Sequence, residues 1–366
     1  MKTILHSAKQ VITCASDHPK RGAAMRDVGM IENGAVVFEG GTITAIGTTP
    51  EILASHTADR MIDASGKVVC PGFVDCHTHA VYAGNRLDEF EQRIQGKTYM
   101  EIMEAGGGIN STVRATRAAS DHDLLVQTGD RLFRMFKLGT TSVEIKTGYG
   151  LDTVTEFRML DTIDIHIKWH VMRDIIPTFL GAHAVPPEYR GHTEAYVDLV
   201  INEMLPAAAV WHRRILPRIY NSPERWIEPP EEAPLLPFFV DVFCEEGVFS
   251  VEQSQRIWDT ARKYGMGIKA HVDEFKSLGG VTAAVQAGAI SVDHLDVTTD
   301  EEIRVLAASD TIGVILPAVN FNLGSTHYAN ARGMIDSGAV IALATDLNPG
   351  SAPCPSMPLV MAIACR

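Results

Sequence analysis

Two histidines follow a short apolar stretch of the chain and stand one residue apart. They are His77 and His79 in "FVDCHTHAVYAGNR", residues 73–86. Alternate residues of a β-strand point to the same side, so both imidazoles can reach one point just past the end of a strand. Two imidazoles that converge in this way are typical of a metal site. The alternative is a polar loop with two unrelated histidines, which is common for an isolated H-x-H pattern.

Two further donors stand at the ends of other predicted strands. They are His271 in "KAHVDEF" and Asp346 in "LATDLNPG". Catalytic zinc sites combine nitrogen and oxygen donors of this kind with one position for water. We therefore predict one metal ion held by His77, His79, His271 and Asp346, with Asp346 as a weak or distant ligand. Each residue also has a plain structural interpretation, because strand histidines are often hydrogen-bonded core groups and "TD" often caps a helix.

Two more polar residues are candidates for catalysis rather than for metal binding. His294 in "SVDHLD" ends the sixth predicted strand and would stabilise an oxyanion, although a hydrogen-bonded histidine at a barrel rim is the alternative. Glu274 follows His271 by three residues. It would act as an acid/base group or a hydrogen-bond acceptor, or else it is only an acidic residue at the start of a helix.

The elements that must position these residues form a repeating pattern from residue 70 onward. Short apolar segments end in polar residues and alternate with segments of helical periodicity, such as "VEQSQRIWDTARKYG" (251–265). Eight such segments are "GFVDCHTH", "TTSVEIKTGYG", "DIIPTFLGAH", "FFVDVFCEEG", "GIKAHVDEF", "AISVDHLD", "TIGVILPAVNF" and "VIALATDLNPG". Strands that alternate with helices pair in parallel, and eight units favour a closed α/β barrel of the TIM type, (β/α)₈, with its catalytic groups at the carboxyl ends of the strands. An open doubly wound sheet is the alternative, but no G-x-G-x-x-G follows an early strand.

Two other regions differ from this pattern. Residues 1–66 contain short β-like runs broken by Gly and Asn, so we predict a small β-rich domain before a barrel domain of residues 67–366. Residues 204–237 hold seven prolines among mixed charges. We interpret them as an irregular surface insertion between the third and fourth units, with contact to a partner subunit as the less favoured alternative.

The composition excludes several classes of function. The net charge is −13 without a long basic run, which argues against nucleic acid or an anionic membrane surface as partner. The first residues lack the apolar core of a signal peptide, and no stretch reaches the ~18 apolar residues of a membrane helix. The six cysteines are scattered without a C-x-x-C pair. They indicate reduced thiols and a cytoplasmic location.

Several longer strings resemble one enzyme family. "PGFVDCHTH", "HVDEF", "VDHLD" and "ATDLNPGS" are similar to the amidohydrolase superfamily. "GKTYMEIMEAGGGINSTVRATRAAS", "EIKTGYGLD", "LGAHAVP" and "VDVFCEEGVFS" resemble the imidazolonepropionase family within it. The resemblance runs from about residue 60 to residue 366 and is looser before that.

The resemblance implies a set of site residues. The metal would be one Zn²⁺ or iron ion on His77, His79, His271 and Asp346. Arg86 would pair with a substrate carboxylate, for which its fork geometry is suited. The further substrate contacts implied are Tyr149, His183, Glu274, Asn348, Gly350 and Ser351. Plain alternatives remain, since a loop arginine is usually a solvated charge and "NPG" is a strong turn signal by itself.

The resemblance also implies a reaction, a pathway and a partner. The reaction would be hydrolysis of the cyclic amide C–N bond of 4-imidazolone-5-propanoate to N-formimidoyl-L-glutamate, the third step of histidine degradation. The expected nucleophile is a metal-activated hydroxide, with Asp346 taking up its proton and His294 stabilising the oxyanion. A homodimer is the family expectation. Family members normally continue past the eighth unit and complete the small β-rich domain, so that C-terminal complement is expected to be missing here.

Two other functions remain open. A related hydrolase, such as a purine or pyrimidine deaminase, would use the same metal and water but would not need Arg86 to hold a carboxylate. A non-enzymatic barrel that serves as an assembly scaffold is less favoured, because such relatives typically lose metal ligands and all the donors are present here. No lysine that a binuclear relative would carboxylate ends the fourth strand, at Cys244, which favours one metal.

Overall fold

A computed structural model describes residues 1–97, 101–102, 106–169, 172, 174–220 and 236–365. The chain divides into two compact units, Met1–Gly72 and Phe73–Arg366. We expected the boundary at residue 66. The first unit extends further because the strand Val68–Val69 pairs with the first strand of the chain.

The first unit is a five-stranded sheet with one short helix. Its strands are β1 (Lys2–Ile12), β2 (Met30–Glu39), β3 (Thr42–Thr48), β4 (Arg60–Asp63) and β5 (Val68–Val69). The order is β3-β2-β1-β4, with β5 also on β1. Gly40 and Gly41 both have positive φ and make the tight turn between β2 and β3. Helix α1 (Thr49–Ser55) packs Ile52 against Ile4 and Val37.

The second unit contains the eight predicted strands, each paired in parallel with the next. They are β6 (Phe73–Asp75), β7 (Thr140–Lys146), β8 (Asp174–Ala182), β9 (Phe239–Cys244), β10 (Gly267–Val272), β11 (Ser291–His294), β12 (Ile312–Ile315) and β13 (Val340–Leu343). The first and last strands meet just past their ends, where His79 N donates to Leu347 O over 2.9 Å and Asp346 N donates to His77 O over 3.0 Å. The predicted (β/α)₈ barrel is confirmed.

Helices surround this barrel. The described helices of the unit are α2 (Leu87–Ile94), α3 (Ile109–Ala118), α4 (Asp121–Lys137), α5 (Thr153–Lys168), α6 (Thr193–Leu199), α7 (Leu205–Tyr220), α8 (Val251–Lys263), α9 (Gly280–Gln286), α10 (Asp300–Ala307), α11 (Pro317–Leu323), α12 (Ala331–Asp336) and α13 (Met357–Ala364). Side chains cap the first turns of six of them, at Ser120, Asp152, Ser250, Thr299, Asn330 and Ser356. None of the described helices is both long enough and apolar enough to span a lipid bilayer.

The apolar core lies between the helices and the strands, whereas the barrel interior carries charge. Leu132 and Met135 of α4 and Ile163 of α5 are fully buried in the main hydrophobic cluster. Inside the barrel, by contrast, Lys146 of β7 reaches Asp241 of β9 across 2.7 Å. Residues that contact one another from different strands in this way must point into the barrel, because the opposite face is covered by helices.

The expected irregular insertion at 204–237 is wrong for its first part. A π-helical turn (Val200–Met204) leads directly into α7. The buried residues Leu205, Ala208 and Trp211 recur at helical spacing, so the apolar face that they form outweighs the prolines. Residues 221–235 lie outside the described residues, and the expectation for them stays untested.

Candidate metal centre and substrate pocket

The four predicted donors lie together at one end of the barrel. His77 and His79 follow β6, His271 lies in β10, and Asp346 follows β13. Asp346 Oδ1 is 3.4 Å from His77 Nε2 and 3.2 Å from His79 Nε2. The Nε2 atoms of His79 and His271 are 3.4 Å apart. All four side chains are at most 4% exposed. Residues that follow the first and last barrel strands therefore lie in one buried cluster with His271, in which His77, His79 and Asp346 form one group of possible metal ligands and His271 belongs to groups with His77 and with His79.

This arrangement fits a bound cation. His77 Nε2 and Asp346 Oδ1 are buried, and neither forms a hydrogen bond within the described part of the chain. Burial and Lys146 lower the pKa of His77, but Asp293 and Asp346 outweigh them and raise it, so a positive charge is favoured beside Asp346. Burial lowers the pKa of His271 to about 3, which keeps it neutral and able to donate a lone pair. Three imidazoles and a carboxylate are a donor set for zinc or iron.

Two buried carboxylates fix the orientation of two of these histidines. Asp293 Oδ2 lies 2.6 Å from His77 Nδ1, and Asp241 Oδ2 lies 3.0 Å from His271 Nδ1. Burial raises the pKa of Asp241, but His271 and Lys146 hold it well below its ordinary value, so it is ionised. An ionised carboxylate only accepts hydrogen bonds, so each Nδ1 carries a proton and each Nε2 is the nitrogen left to bind a cation.

His294 and Glu274 lie beside this centre. Nitrogen atoms of His77, His271 and His294 lie within 4.8 Å of one another, so distance alone does not separate His294 from the ligands. His294 has φ 86°, in the left-handed region that a histidine rarely adopts. Its Nε2 is 3.7 Å from Glu274 Oε2. Such strain is tolerated where the surroundings hold a side chain in a required direction.

Glu274 lines the pocket, with its side chain 12% exposed, and does not lie at a helix start. The next helix, α9, begins only at Gly280, so the alternative of a helix N-terminal acid does not hold. Burial, together with the negative charges of Asp346 and Glu245, raises the pKa of Glu274 to about 8. At neutral pH this carboxyl group therefore carries a proton in the absence of a nearby cation.

A cavity of about 290 Å³ opens above the four donors. Most of the predicted substrate contacts line it together with the metal-site residues, namely His79, Arg86, Tyr149, His183, His271, Glu274, His294, Asp346, Asn348 and Ser351. Gly350 is not among the lining residues, yet it is close to the cavity. A Cβ atom at this position would lie 2.0 Å from Arg86 Nη1, so only glycine leaves room for that arginine.

The Arg86 side chain is held in place by Glu89. Arg86 Nε and Nη2 donate to Glu89 Oε2 over 2.9 and 2.8 Å. The other oxygen of Glu89 accepts from Gly108 N over 3.0 Å. Arg86 is therefore not the solvated loop charge of the plain interpretation, and its Nη1 edge is directed toward Gly350.

A second buried carboxylate organises the loop that bears Tyr149. Glu156 accepts from the backbone N–H groups of Gly148, Gly150 and Leu151 over 3.0, 2.7 and 2.8 Å. Gly148 O in turn lies 3.0 Å from His183 Nδ1. Because a carbonyl only accepts, His183 carries its proton on Nδ1. Its ring stacks on that of His79, with the ring centroids 4.9 Å apart.

Asn348 forms a turn that supports Asp346. Its amide Nδ2 donates to Asp346 Oδ2 over 3.0 Å and to Ser351 Oγ over 2.9 Å. Its Oδ1 accepts from Gly350 N and Ser351 N, each over 2.8 Å. The turn that "NPG" predicts therefore exists, and it also leaves Asp346 Oδ1 directed at the histidines.

Sequence reasoning missed the residues behind the donors. They are Glu89, Glu144, Lys146, Glu156, Asp241 and Asp293, and each is at most 8% exposed. A signal was present for three of them, because Lys146, Asp241 and Asp293 are charges inside otherwise apolar strand segments. A charge in a buried strand requires a partner, and that requirement indicates a functional network.

The sequence of the chain is similar to that of known enzymes, although no family model matches it. It is 50% identical to the imidazolonepropionase of Chloroflexus aggregans over 99% of its own length and 82% of that protein. It is 43% identical to the imidazolonepropionase of Parabacteroides distasonis over 100% of its length and 82% of that protein.

Solved structures show the same fold at low identity. A guanine deaminase from C. acetobutylicum with bound guanine is 16% identical with a TM-score of 0.61, over 100% of this chain and 78% of that one. An adenosine deaminase from Xanthomonas campestris with bound zinc is 14% identical with a TM-score of 0.59, over 99% of this chain and 72% of that one. These likenesses concern the fold alone. Identities of 50% and 43% over nearly the whole chain decide the relationship, and the chain belongs to the imidazolonepropionase family.

Proposed function

We propose that this protein hydrolyses the cyclic amide C–N bond of 4-imidazolone-5-propanoate to give N-formimidoyl-L-glutamate, a step of histidine degradation. The observation that carries the proposal is the group formed by Asp346 Oδ1 with the Nε2 atoms of His77 and His79, which His271 Nε2 joins at 3.4 Å from His79 Nε2, at the base of a cavity that also contains Arg86. Membership of the imidazolonepropionase family supports this substrate.

One Zn²⁺ or iron ion per chain would be held by His77, His79, His271 and Asp346. The unpaired His77 Nε2 and Asp346 Oδ1 and the neutral His271 support this assignment. When bound, such an ion lowers the pKa of a water molecule toward ~7 and so supplies the nucleophile at neutral pH.

Residues on the opposite side of the cavity orient the substrate. Arg86 pairs with the propionate through Nη1, since Glu89 already occupies its Nε and Nη2. Tyr149 keeps its phenol proton, because burial raises its pKa well above the ordinary value, and donates a hydrogen bond to the substrate. His183, Asn348, Gly350 and Ser351 provide the remaining polar contacts around the ring. The two ends of the substrate are thereby fixed relative to Asp346.

Three side chains handle protons and charge. Asp346 takes up the proton that the attacking water releases and passes it toward the ring nitrogen that leaves. His294 is neutral, because burial lowers its pKa, and it polarises the ring carbonyl oxygen as charge develops there. Glu274 holds a proton at neutral pH when no cation is bound, and in its protonated form it donates a hydrogen bond to a ring heteroatom. A pH profile of turnover tests how the acid and base roles are divided between Glu274 and Asp346.

The direct test is the loss of the ultraviolet absorbance of freshly prepared imidazolonepropionate. We expect turnover by the purified protein, abolition by a chelator, and recovery on addition of Zn²⁺ or Fe²⁺. Guanine and adenosine serve as the matched alternative substrates, since a deaminase would release ammonia from them. Turnover of a purine without turnover of imidazolonepropionate would replace the proposed function with a deaminase. Full activity in metal-depleted protein would remove the metal from the proposal.

A cytoplasmic location and a homodimer complete the proposal. All six cysteines are free thiols, which supports a reducing compartment such as the cytoplasm. The homodimer implied by the family stays a prediction, and gel filtration with light scattering tests it.

A further inference from the structure

A fully buried lysine lies beneath the four metal-site donors. Lys146, near the end of β7, is 0% exposed. Its Nζ donates to Asp241 Oδ2 over 2.7 Å and to Glu144 Oε1 over 2.8 Å, and it lies 3.7 Å from Asp293 Oδ2. One cation therefore bonds to two carboxylates and lies close to a third, Asp293, which Lys269 Nζ also approaches, at 3.6 Å from the same oxygen. Nothing in the proposed reaction uses this lysine directly.

Two of the three carboxylates reach a histidine of the centre and the third does not. Asp241 lies 3.0 Å from His271 Nδ1, and Asp293 lies 2.6 Å from His77 Nδ1. Glu144 instead accepts from Thr78 N over 3.3 Å. Lys146 is thus linked to two ligand histidines, to His271 through its hydrogen bond with Asp241 and to His77 through its ion pair with Asp293.

We propose that Lys146 is a positioning residue of the metal centre, which keeps Asp241 and Asp293 in place so that His271 and His77 present their Nε2 atoms to the ion. The inference rests on the proposed function, because it assumes that these histidines bind a metal. Partners behind metal ligands are known to set ligand orientation, and their loss typically costs about 10–100-fold in metal affinity. In this protein a single lysine supports two such partners at once.

The direction in which metal affinity changes when Lys146 is removed distinguishes a positioning role from a purely electrostatic one. Lys146 is a positive charge close to the site of a cation. If it acted through its charge alone, its removal would leave the centre more negative and would tighten metal binding. If it positions the carboxylates, its removal leaves buried negative charges without their shared partner, and the two histidines lose their fixed orientation. Positioning therefore predicts weaker metal binding, the opposite of the charge effect.

The test is chelator competition on zinc-loaded full-length protein, comparing wild type with Lys146→Met. Methionine preserves the length of the side chain and removes the charge. We expect zinc affinity to fall about 10–100-fold. We also expect long-range ¹H–¹⁵N spectra of histidine-labelled, zinc-loaded protein to show loss of the protonated Nδ1 signals of His77 and His271. Unchanged or tighter zinc binding in this variant would overturn the proposal.

A matched pair covers the case in which Lys146→Met fails to fold. Asp241→Asn and Glu144→Gln each replace one carboxylate of the same lysine by its amide, so they change the charge equally. Only Asp241 touches a ligand histidine. We expect Asp241→Asn to weaken zinc binding at least about tenfold more than Glu144→Gln. Equal affinities in the two variants, within about threefold, would overturn the proposal.

The same measurements distinguish a failure of this inference from a failure of the proposed function. If wild-type protein neither retains zinc nor hydrolyses imidazolonepropionate, the proposed function fails, and the inference fails with it. If wild type does both and Lys146→Met retains wild-type zinc affinity, only the positioning role of Lys146 fails.

Discussion

The two sides of the cavity are built in different ways. On the metal side, ionised side chains on other barrel strands hold the donors, as Asp293 holds His77 over 2.6 Å and Asp241 holds His271 over 3.0 Å. On the substrate side, loops are organised mainly through backbone N–H groups, as Glu156 does for residues 148–151 and Asn348 does for residues 350–351.

This difference suggests a division of tasks. Side chains on barrel strands are held rigidly by the sheet, which suits a metal that tolerates little error in ligand direction. Loops after the strands can differ between members of a fold while the barrel stays the same. Changes on the metal side should therefore abolish catalysis, whereas changes on the substrate side should mainly weaken substrate binding. The predictions below test this distinction, beginning with the largest expected effect.

Replacement of Asp346 should give the largest loss. Asp346→Ala removes a proposed ligand and the proposed proton acceptor together, so kcat should fall at least ~10³-fold, since acid–base catalysis alone contributes about 10²–10⁴-fold. Circular dichroism should show a folded protein, because the backbone bond from Asp346 N to His77 O remains. Metal content and kcat are measured together. Turnover near that of wild type would remove Asp346 from the mechanism.

Replacement of Arg86 should affect the substrate side alone. Arg86→Ala should raise KM for imidazolonepropionate about 100-fold, because the charge-assisted contact of Nη1 to the propionate is lost, and it should leave the zinc content unchanged. Arg86→Lys is the matched control, and it should recover only part of the loss because lysine cannot reproduce the guanidinium fork. KM for a substrate analogue without the propionate should be the same in Arg86→Ala as in wild type. If Arg86→Ala reduced kcat/KM equally for imidazolonepropionate and for the analogue, the proposed contact of Arg86 with the carboxylate would be wrong.

The sequence predicts the barrel strands, and it places the four candidate donors at the ends of those strands, because both depend on local patterns. Each barrel strand is a short apolar run that ends in polar residues, and His77, His79, His271 and Asp346 stand at those ends. Strand alternation and the parallel pairing of βα units then bring the ends together without knowledge of a single long-range contact.

The residues that hold the donors could not be predicted in the same way. The partner of His77 is Asp293, 216 positions away, and the partner of Lys146 is Asp241, 95 positions away. No local pattern specifies which buried charge pairs with which, since this depends on the register of neighbouring strands. The helix at 205–220 was missed for the opposite reason, because its prolines outweighed a helical apolar pattern that was present.

The pH dependence of kcat/KM should show whether Glu274 acts as an acid or as a base. Its pKa is raised to about 8 by burial and by the charges of Asp346 and Glu245, and a cation at the centre would lower it from that value. If the protonated form donates to the substrate, kcat/KM should fall as pH rises through about 8 or slightly below. Glu274→Gln, which stays neutral, should lack this descending limb. A rate that instead rises through this range, with an inactive Gln variant, would make Glu274 a base.

The same group has a consequence for stability. A carboxyl group whose pKa is higher in the folded protein than in the unfolded chain contributes stability below the unfolded pKa of ~4.3, and this contribution is lost as pH rises through the folded value. Between pH 5 and 9 the free energy of unfolding of the metal-free protein should therefore decrease more in wild type than in Glu274→Gln. Equal slopes would show that Glu274 does not titrate within this range.

The smallest effect on activity is expected for Glu156, which holds the backbone of the loop that bears Tyr149 and is not itself a proposed substrate contact. Its carboxylate accepts three backbone N–H groups of the loop that bears Tyr149, and a glutamine has only one accepting oxygen. Glu156→Gln should therefore cost about 1–3 kcal/mol of stability, since a buried donor is left unpaired. KM should rise about 3–10-fold, which corresponds to ~1 kcal/mol of lost substrate binding, and kcat and zinc content should change little.

A matched carboxylate makes this result interpretable. Glu203, whose side chain bonds to Thr153 at the surface, can be replaced by glutamine as the control and should leave KM and stability near wild type. If Glu156→Gln lowered kcat and zinc content as Asp346→Ala does, the loop that it holds would belong with the metal side. The contrast between strand-held and loop-held residues would then not correspond to the contrast between catalysis and binding.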